Sequence, residues 1–242
     1  MDALLPFLMD KSDPLSQWRA ETFWTKEVET LAWLGFFSEF RGRSITSLVD
    51  VGSNVGLYSL YWLSLNPDVK VIACEPFKEN MNLLKNNLKL NLMLGRANLV
   101  SAPLYSESLP GSLIVSDLRP GSSGSQFKAK NGDKNILGGP IDSTTLDETL
   151  IDNIEDKILK IDVDGLDFEV LRGAKHSLAS GRITSVLIEA SEETQLNISH
   201  FLGDFGFISD QRFNEIESHS DFRRIAAGND ERNRVYSLLD SF

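Results

Sequence analysis

Four acidic residues each come at the end of a run of apolar residues, and together they are the strongest indication of chemistry in the sequence. They are Asp50, Glu75, Asp162 and Glu189. Such runs indicate buried strands, and in an open parallel sheet ligands bind in the crevice at the carboxyl ends of the strands. We therefore expect the four carboxylates to surround one crevice, although an acid in this position can also cap the helix that follows.

A glycine turn follows the first of these acids. The sequence there reads Asp50-Val51-Gly52-Ser53-Asn54-Val55-Gly56, which predicts a strand, a turn and then a helix that begins at Leu57. Because Gly52 has no Cβ, it can adopt a backbone conformation closed to other residues and let a ligand approach the main chain. We expect this turn to hold a cofactor.

The spacing of the glycines argues against a dinucleotide, whose binding turn reads G-x-G-x-x-G. Asn54 stands where the second glycine would be, and Asp50 precedes the first glycine by two residues. A carboxylate is a poor neighbour for a pyrophosphate and a good one for a cation, such as the ammonium and sulfonium groups of S-adenosylmethionine. A nicotinamide-dependent dehydrogenase is therefore disfavoured.

A second apolar run, at 69–74, ends at Glu75, which lies 25 positions after Asp50. That separation fits a second parallel strand reached through one helix. Its terminal carboxylate would then lie beside a ribose bound at the first turn.

A third apolar run, at 158–163, carries a lysine and an aspartate on one face. Lys160 and Asp162 are two residues apart, so their side chains project to the same side of a strand. The pattern predicts either a catalytic pair or a plain salt bridge. A magnesium ion would be compatible with the oxygens of Asp162 and Asp164, but no histidine or cysteine has zinc-site spacing, and no metal site is predicted.

The remaining pattern alternates strands with helices, as expected for an α/β protein with a parallel sheet. Further strands are predicted at 97–104, 113–115, 183–188, 207–209 and 235–239, and helices at 57–65, after Pro76, at 167–179 and at 192–202, with a short helix after Thr145. The stretch 119–140 is rich in glycine and lacks periodicity, which predicts a long loop, either a lid or an idle insertion.

Helical spacing of apolar residues extends from Asp13 to Phe40, before the first strand. We therefore divide the chain into an N-terminal helical extension, 1–44, and a main domain, 45–242. Three of the four tryptophans lie in the extension. Its aromatic side chains could pack on the sheet, cover a cofactor pocket or form a homodimer contact.

The amino-acid composition limits the kinds of partner that the protein is expected to bind. With 24 basic and 35 acidic residues the net charge is −11, which argues against nucleic acid and favours a small molecule. The single cysteine, Cys74, lies inside a strand and fits a reducing compartment. No apolar run is long enough to span a membrane, so a cytoplasmic protein is expected.

Several motifs in sequence order resemble the FkbM family of S-adenosylmethionine-dependent methyltransferases. The resemblance covers roughly residues 45–190. It rests on the glycine turn, on Cys74-Glu75-Pro76, on Thr145-Leu146-Asp147 and most closely on Leu159-Lys160-Ile161-Asp162-Val163-Asp164-Gly165, with Gly121-Ser122-Ser123 as a weaker match. It departs from the family at Asp164, where glutamate is common, and before Phe40.

The resemblance implies a class I methyltransferase fold: a doubly wound, Rossmann-like and mostly parallel sheet of seven strands with one antiparallel strand near its end. It also implies methyl transfer to oxygen. For that reaction we expect Asp162, at the end of the central strand, to act as general base, with Lys160 orienting it or the substrate. Carried over by position, the cofactor-binding residues would be Asp50, Gly52, Ser53, Asn54, Gly56, Glu75, Pro76, Tyr105, Ser106 and Asp162.

The expected acceptor is a small molecule or a glycan. Two other classes stay open at this point: a non-catalytic S-adenosylmethionine-binding module, and an aminopropyltransferase-like enzyme on the same fold. An acidic pocket would suit the polyamine substrates of the latter, although no acidic motif of the kind expected near its fourth strand is evident in the sequence.

Overall fold

The structure is a computed structural model that describes residues 5–39, 44–129, 139–216 and 231–238. Its helices and strands, in chain order, are α1 (Pro14–Lys26), α2 (Val28–Glu39), β1 (Ser47–Val51), α3 (Leu57–Leu65), β2 (Lys70–Cys74), α4 (Lys78–Leu90), β3 (Ala97–Val100), β4 (Pro110–Ile114), β5 (Gln126–Ala129), β6 (Pro140–Asp142), α5 (Leu146–Thr149), β7 (Lys157–Ile161), α6 (Asp167–Arg172), α7 (Lys175–Ala179), β8 (Ile183–Ala190), α8 (Glu192–Gly203), β9 (Phe207–Ser209), α9 (Gln211–Asn214) and β10 (Arg232–Leu238).

Seven strands form the main sheet in the order β3-β2-β1-β7-β8-β10-β9. The first five pair in parallel, whereas β10 runs antiparallel to both of its neighbours. This order, with one antiparallel strand next to the edge, confirms the class I methyltransferase fold. The four strands predicted to end at acids are confirmed as β1, β2, β7 and β8.

Helices cover both faces of this sheet. Successive residues of its central strands point to opposite faces, and apolar residues lie on both faces, so each face must be buried. Leu48 packs with α2, α3 and α4 on one face, and the next residue, Val49, packs with α5 to α8 on the other. Lys160 and Asp50, which are register partners in β7 and β1, are polar residues buried in this arrangement. Both lie near the carboxyl ends of their strands.

The N-terminal helices share the core of the sheet. Trp33 is fully buried and donates its indole N–H to the Ser185 hydroxyl on β8 at 2.9 Å. Glu29 accepts a hydrogen bond from the Asn233 amide on β10 at 2.8 Å. Phe37 is also buried, so sheet packing accounts for these aromatic residues. The boundary between an extension and a main domain stays a prediction.

The helical stretch predicted up to Phe40 is divided in two. Asp13 caps α1 by accepting the Leu15 N–H at 2.8 Å. The helix ends at Glu27, where φ is −135° and the side chain turns into the protein. Phe40 itself lies outside the described residues.

The prediction of one long loop at 119–140 and of a main-sheet strand at 113–115 is wrong. Strand β4 belongs instead to a separate antiparallel sheet of order β5-β4-β6, and β5 lies within the expected loop. Phe127 on β5 is buried against Leu113 on β4, which stabilises this pairing. Residues 130–138 lie outside the described part of the chain.

The helix predicted at 167–179 is also interrupted. It breaks into α6 and α7 at Gly173, where a Cβ would lie 2.3 Å from the Tyr105 carbonyl oxygen. The Gly173 carbonyl in turn accepts the Asp147 N–H at 3.0 Å. The break lets the backbone at Tyr105, in the connection between β3 and β4, pack directly against the helix backbone.

Among the helices described, none is long and apolar enough to cross a membrane.

Candidate active site

A cavity lies at the carboxyl ends of the central strands. Three of the four predicted acids line it: Glu75, Asp162 and Glu189. The fourth, Asp50, is 1% exposed and lies behind the cavity wall. The convergence predicted from the strand ends is therefore observed for three of the acids. Other predicted residues that line the cavity are Gly52, Ser53, Asn54, Pro76 and Lys160.

The glycine turn is held by the ends of neighbouring strands. The N–H groups of Gly52 and Ser53 both donate to the Cys74 carbonyl, at 2.9 and 3.1 Å. Gly52 has a φ of +80°, and a Cβ there would lie 1.8 Å from the Asp162 carbonyl oxygen. Gly52 is thus needed for close contact between β1 and β7 as well as for ligand approach.

Gly56, by contrast, does not line the cavity. Its φ is +89°, and a Cβ would lie 2.3 Å from the Leu84 side chain on α4. Its role in the structure is to let α3 begin while packing closely on α4.

Asp50 is buried and only partly satisfied. Its Oδ2 accepts the Ser59 hydroxyl at 2.6 Å, while Oδ1 has no hydrogen-bond partner among the described residues. Burial raises the pKa of this carboxyl, against the opposing effects of Lys160 and Ser59. Within the same described part, the Ser53 hydroxyl on the cavity wall also lacks a partner. Of the two groups, the Ser53 hydroxyl lies on the cavity wall, where a bound ligand could supply its missing hydrogen bond.

Glu75 is fixed by the backbone on both sides. Its Oε2 accepts the Asn54 N–H at 2.9 Å and its Oε1 accepts the Phe77 N–H at 2.9 Å. Burial raises its pKa to about 7, although these hydrogen bonds favour the ionised form. Glu75 therefore organises the glycine turn, and its carboxyl group also lines the cavity.

Lys160 and Asp162 form an ion pair with a Nζ–Oδ2 distance of 2.8 Å. The lysine side chain is 1% exposed, whereas the aspartate side chain is 30% exposed toward the cavity. Burial alone would lower the pKa of Lys160, but the carboxylates of Asp162, Asp50 and Glu27 raise it. Lys160 is therefore a permanent cation that holds Asp162 in place.

Tyr58 and Glu27 complete this charged group. The Lys160 ammonium lies 5.0 Å from the centroid of the Tyr58 ring. Glu27 is buried, pairs with Lys26 at 2.8 Å and accepts a hydrogen bond from Tyr58. Burial opposes its ionisation, yet Lys26 and Lys160 lower the pKa of Glu27 to about 2.

Helix α1 supplies one wall of the cavity, which the sequence did not assign. Four of its residues or immediate neighbours take part: Arg19, Phe23, Lys26 and Glu27. Covering a pocket was one of the alternatives left open for these aromatic helices, and Phe23 does so. The available signal was the spacing, because positions 19, 23, 26 and 27 share one helical face that mixes charge with an aromatic ring.

The segment Gly121-Ser122-Ser123 closes another side. The Ser122 carbonyl accepts amide hydrogen bonds from Asn54 at 2.7 Å and from Asn80 at 3.1 Å. Asn80 also accepts the Gly121 N–H at 2.8 Å. Asn80, on α4, is therefore buried beneath this segment.

Tyr105 and Ser106, two of the predicted cofactor-binding residues, do not line the cavity. The neighbouring residues Ala102, Pro103 and Leu104 do, together with Leu113 and Phe127 from the small sheet. This apolar end of the cavity suits a flat aromatic base.

Asp164 and Asp167 stabilise the connection after β7. Asp164 has a φ of +52° and accepts the Gly124 N–H at 2.7 Å. Asp167 accepts the N–H groups of Val163 and Gly165, and burial together with Asp162 raises its pKa to about 7. In the described ranges, no group of three or more His, Cys, Asp or Glu side chains could hold a metal ion.

Sequence comparisons relate this chain to methyltransferases. Residues 50–225 match the family described as the methyltransferase FkbM domain. The methyltransferase sdnD of Sordaria araneosa is 27% identical over 189 residues, which are 66% of this chain and 73% of that protein. The family match contains the glycine turn, Glu75 and the Lys160–Asp162 pair.

Two solved structures are similar in fold. Precorrin-6y C5,15-methyltransferase from Geobacter metallireducens has a TM-score of 0.46 and 14% identity, with 88% of this chain and 87% of that chain covered. The N-terminal domain of human METTL16 in complex with SAH has a TM-score of 0.48 and 11% identity, with 88% and 70% covered.

Proposed function

Since the chain belongs to the FkbM family of S-adenosylmethionine-dependent methyltransferases, we propose that it moves the methyl group of this cofactor to a hydroxyl oxygen of a small molecule or a sugar. The choice of an oxygen atom as methyl acceptor rests on the free oxygen of the Asp162 carboxylate. This carboxylate reaches the cavity, and its Oδ1 accepts no hydrogen bond from the described residues. A free carboxylate oxygen can receive the proton that a hydroxyl loses on methylation.

The cavity residues fit the cofactor in charge and in shape. Five acids and three bases line the cavity, so its walls are acidic and suit the ammonium and sulfonium groups. Glu75 would accept hydrogen bonds from the ribose hydroxyls, and Leu104 and Phe127 would contact the adenine. When bound, the cofactor supplies an activated methyl group on its sulfonium.

Lys160 and Asp162 would divide the work at the acceptor. Lys160 stays protonated and fixes one oxygen of Asp162 through the 2.8 Å hydrogen bond. The other oxygen of Asp162 would then face the acceptor hydroxyl. It would remove the hydroxyl proton as the hydroxyl oxygen attacks the methyl group. Correct placement of the attacking atom supplies much of the rate enhancement in such a reaction.

The test of the acceptor class uses cofactor with a labelled methyl group. Purified protein is incubated with a panel of small-molecule hydroxyl compounds, sugars and polyketide extracts, and the products are located by mass spectrometry. We expect the label on an oxygen. Label on nitrogen or carbon would overturn the proposal.

The role of Asp162 is tested with Asp162→Asn, which keeps the size of the side chain. We expect methyl transfer to fall by roughly 10²- to 10⁴-fold, as for loss of a general base, with the cofactor dissociation constant changed by less than about threefold. Asp156→Asn is the matched control, because Asp156 lies just before β7, at the end of the strand opposite the cavity. Full turnover by Asp162→Asn would remove the base role.

Two further proposals concern partners. The first is that the acceptor is a small molecule or glycan rather than a nucleic acid. The second is that the N-terminal helices pair in a homodimer through exposed side chains such as Trp18, which is 44% exposed. Sedimentation velocity on the full chain tests the second, because Trp18→Ala should then shift a dimer toward the monomer. A monomer at all concentrations would rule the homodimer out.

A further inference from the structure

The carboxylate of the cofactor needs a cation in an otherwise acidic cavity. Glu27, Glu75, Asp162, Asp164 and Glu189 all line the walls. They favour the two positive groups of S-adenosylmethionine but repel the carboxylate of its methionine part. A desolvated carboxylate is costly unless a donor with positive charge meets it.

Two of the three basic residues that line the cavity are already engaged. The Lys26 ammonium pairs with Glu27 at 2.8 Å, and the Lys160 ammonium pairs with Asp162 at 2.8 Å. The positive charge of each lysine is therefore already compensated by one carboxylate, so a second carboxylate placed there would meet a pair with no net charge.

Arg19 is the third, and its guanidinium is only partly used. Its Nε donates to the Gly121 carbonyl at 2.8 Å, which fixes the side chain across 102 positions of sequence. Its two terminal nitrogens, Nη1 and Nη2, have no hydrogen-bond or ion-pair partner in the described part of the chain. The charge of Arg19 does act on Asp164 at longer range, where it opposes the rise of that carboxyl's pKa. The side chain is half-buried on the cavity wall. A guanidinium held in this way presents a preorganised pair of donors that matches a carboxylate.

We propose that Arg19 binds the carboxylate of the methionine part of the cofactor. The residue lies on α1, before the family match at 50–225, so this helix supplies a subsite that the matched region lacks. The inference rests on S-adenosylmethionine as the cofactor within the proposed function. It does not depend on the acceptor being an oxygen.

The experiment compares two ligands by titration calorimetry, S-adenosylmethionine and its decarboxylated form, which lacks only the carboxylate. We expect Arg19→Gln to weaken S-adenosylmethionine roughly tenfold to hundredfold, as for loss of a charge-assisted pair, and to leave the affinity for the decarboxylated form unchanged. Arg182→Gln removes the same charge just before β8, at the end of the strands opposite the cavity, and should change neither affinity.

Arg19→Lys separates charge from structure. It keeps the cation but loses the fork of donors, so an intermediate loss for S-adenosylmethionine alone is expected. Equal weakening of both ligands by Arg19→Gln would mean that Arg19 only holds the segment at Gly121. No weakening of either ligand would also overturn the proposal. Melting temperatures of the free variants show whether each one folds, and no outcome depends on methyl transfer.

Discussion

Single residues in the turn after β1 serve both the fold and the site, and Gly52 is the clearest case. Alanine at this position would have to keep a φ of +80° and place its Cβ 1.8 Å from a backbone oxygen. We expect Gly52→Ala to lower the free energy of unfolding by roughly 1–3 kcal/mol. It should also weaken cofactor binding, because the turn must move away from β7. Urea unfolding and calorimetry measure the two effects.

Gly35→Ala is the matched control for that substitution. Gly35 lies inside α2, and a Cβ there would meet no atom within 4 Å. Alanine is the better helix former, so this variant should gain up to about 1 kcal/mol. Destabilisation by both variants to the same extent would contradict the account of Gly52.

The sequence located some site residues and missed others for a physical reason. Glu75 and Asp162 follow buried strands, so their positions at the sheet edge could be derived from local pattern alone. Arg19 reaches the site through a hydrogen bond to Gly121, far away in sequence. Nothing local to either residue encodes that contact, since it depends on how α1 crosses the cavity.

The same distinction holds for the elements. Strands β1, β2, β7 and β8 could be predicted because burial on both faces requires a continuous apolar run. Strand β4 was predicted only in part, at 113–115, and in the wrong sheet, and β5 and β6 were not predicted. Each is short, and few side chains of the small sheet enter the core around Phe77. The short helix predicted after Thr145 is confirmed as α5, which Thr145 caps in a capping box with Glu148.

The packing of helix α2 on the sheet leads to a prediction about stability. Trp33 is 0% exposed and hydrogen-bonded to Ser185, whereas Trp18 on α1 is 44% exposed. We expect Trp33→Ala to lower the free energy of unfolding by about 3–5 kcal/mol through the cavity it creates. Trp18→Ala should cost less than about 1 kcal/mol. Equal losses in urea unfolding would mean that α2 is not part of the core.

At the scale of the whole molecule, the acidic character extends into the interior. Glu75 and Asp167 are both buried beside the site, and burial raises the pKa of each to about 7. The buried cation Lys160 compensates Asp50, Asp162 and Glu27 rather than these two. The free protein therefore retains acids that resist ionisation, and its stability should depend on pH.

The sign of that dependence follows from proton binding. Between about pH 4.5 and 7 the folded protein holds a proton on Glu75 that the unfolded chain has released, so this group's contribution to stability is largest at low pH and is lost as pH rises through about 7. The full effect is on the order of 3 kcal/mol, because each pKa unit corresponds to about 1.4 kcal/mol.

Glu75→Gln cannot titrate, so its unfolding free energy should fall less steeply than that of the wild type between pH 5 and 7.5. Urea unfolding of the ligand-free proteins measures both slopes, with the exposed Glu193→Gln as control. Identical slopes for Glu75→Gln and wild type would show that Glu75 ionises as readily in the folded protein as in the unfolded chain.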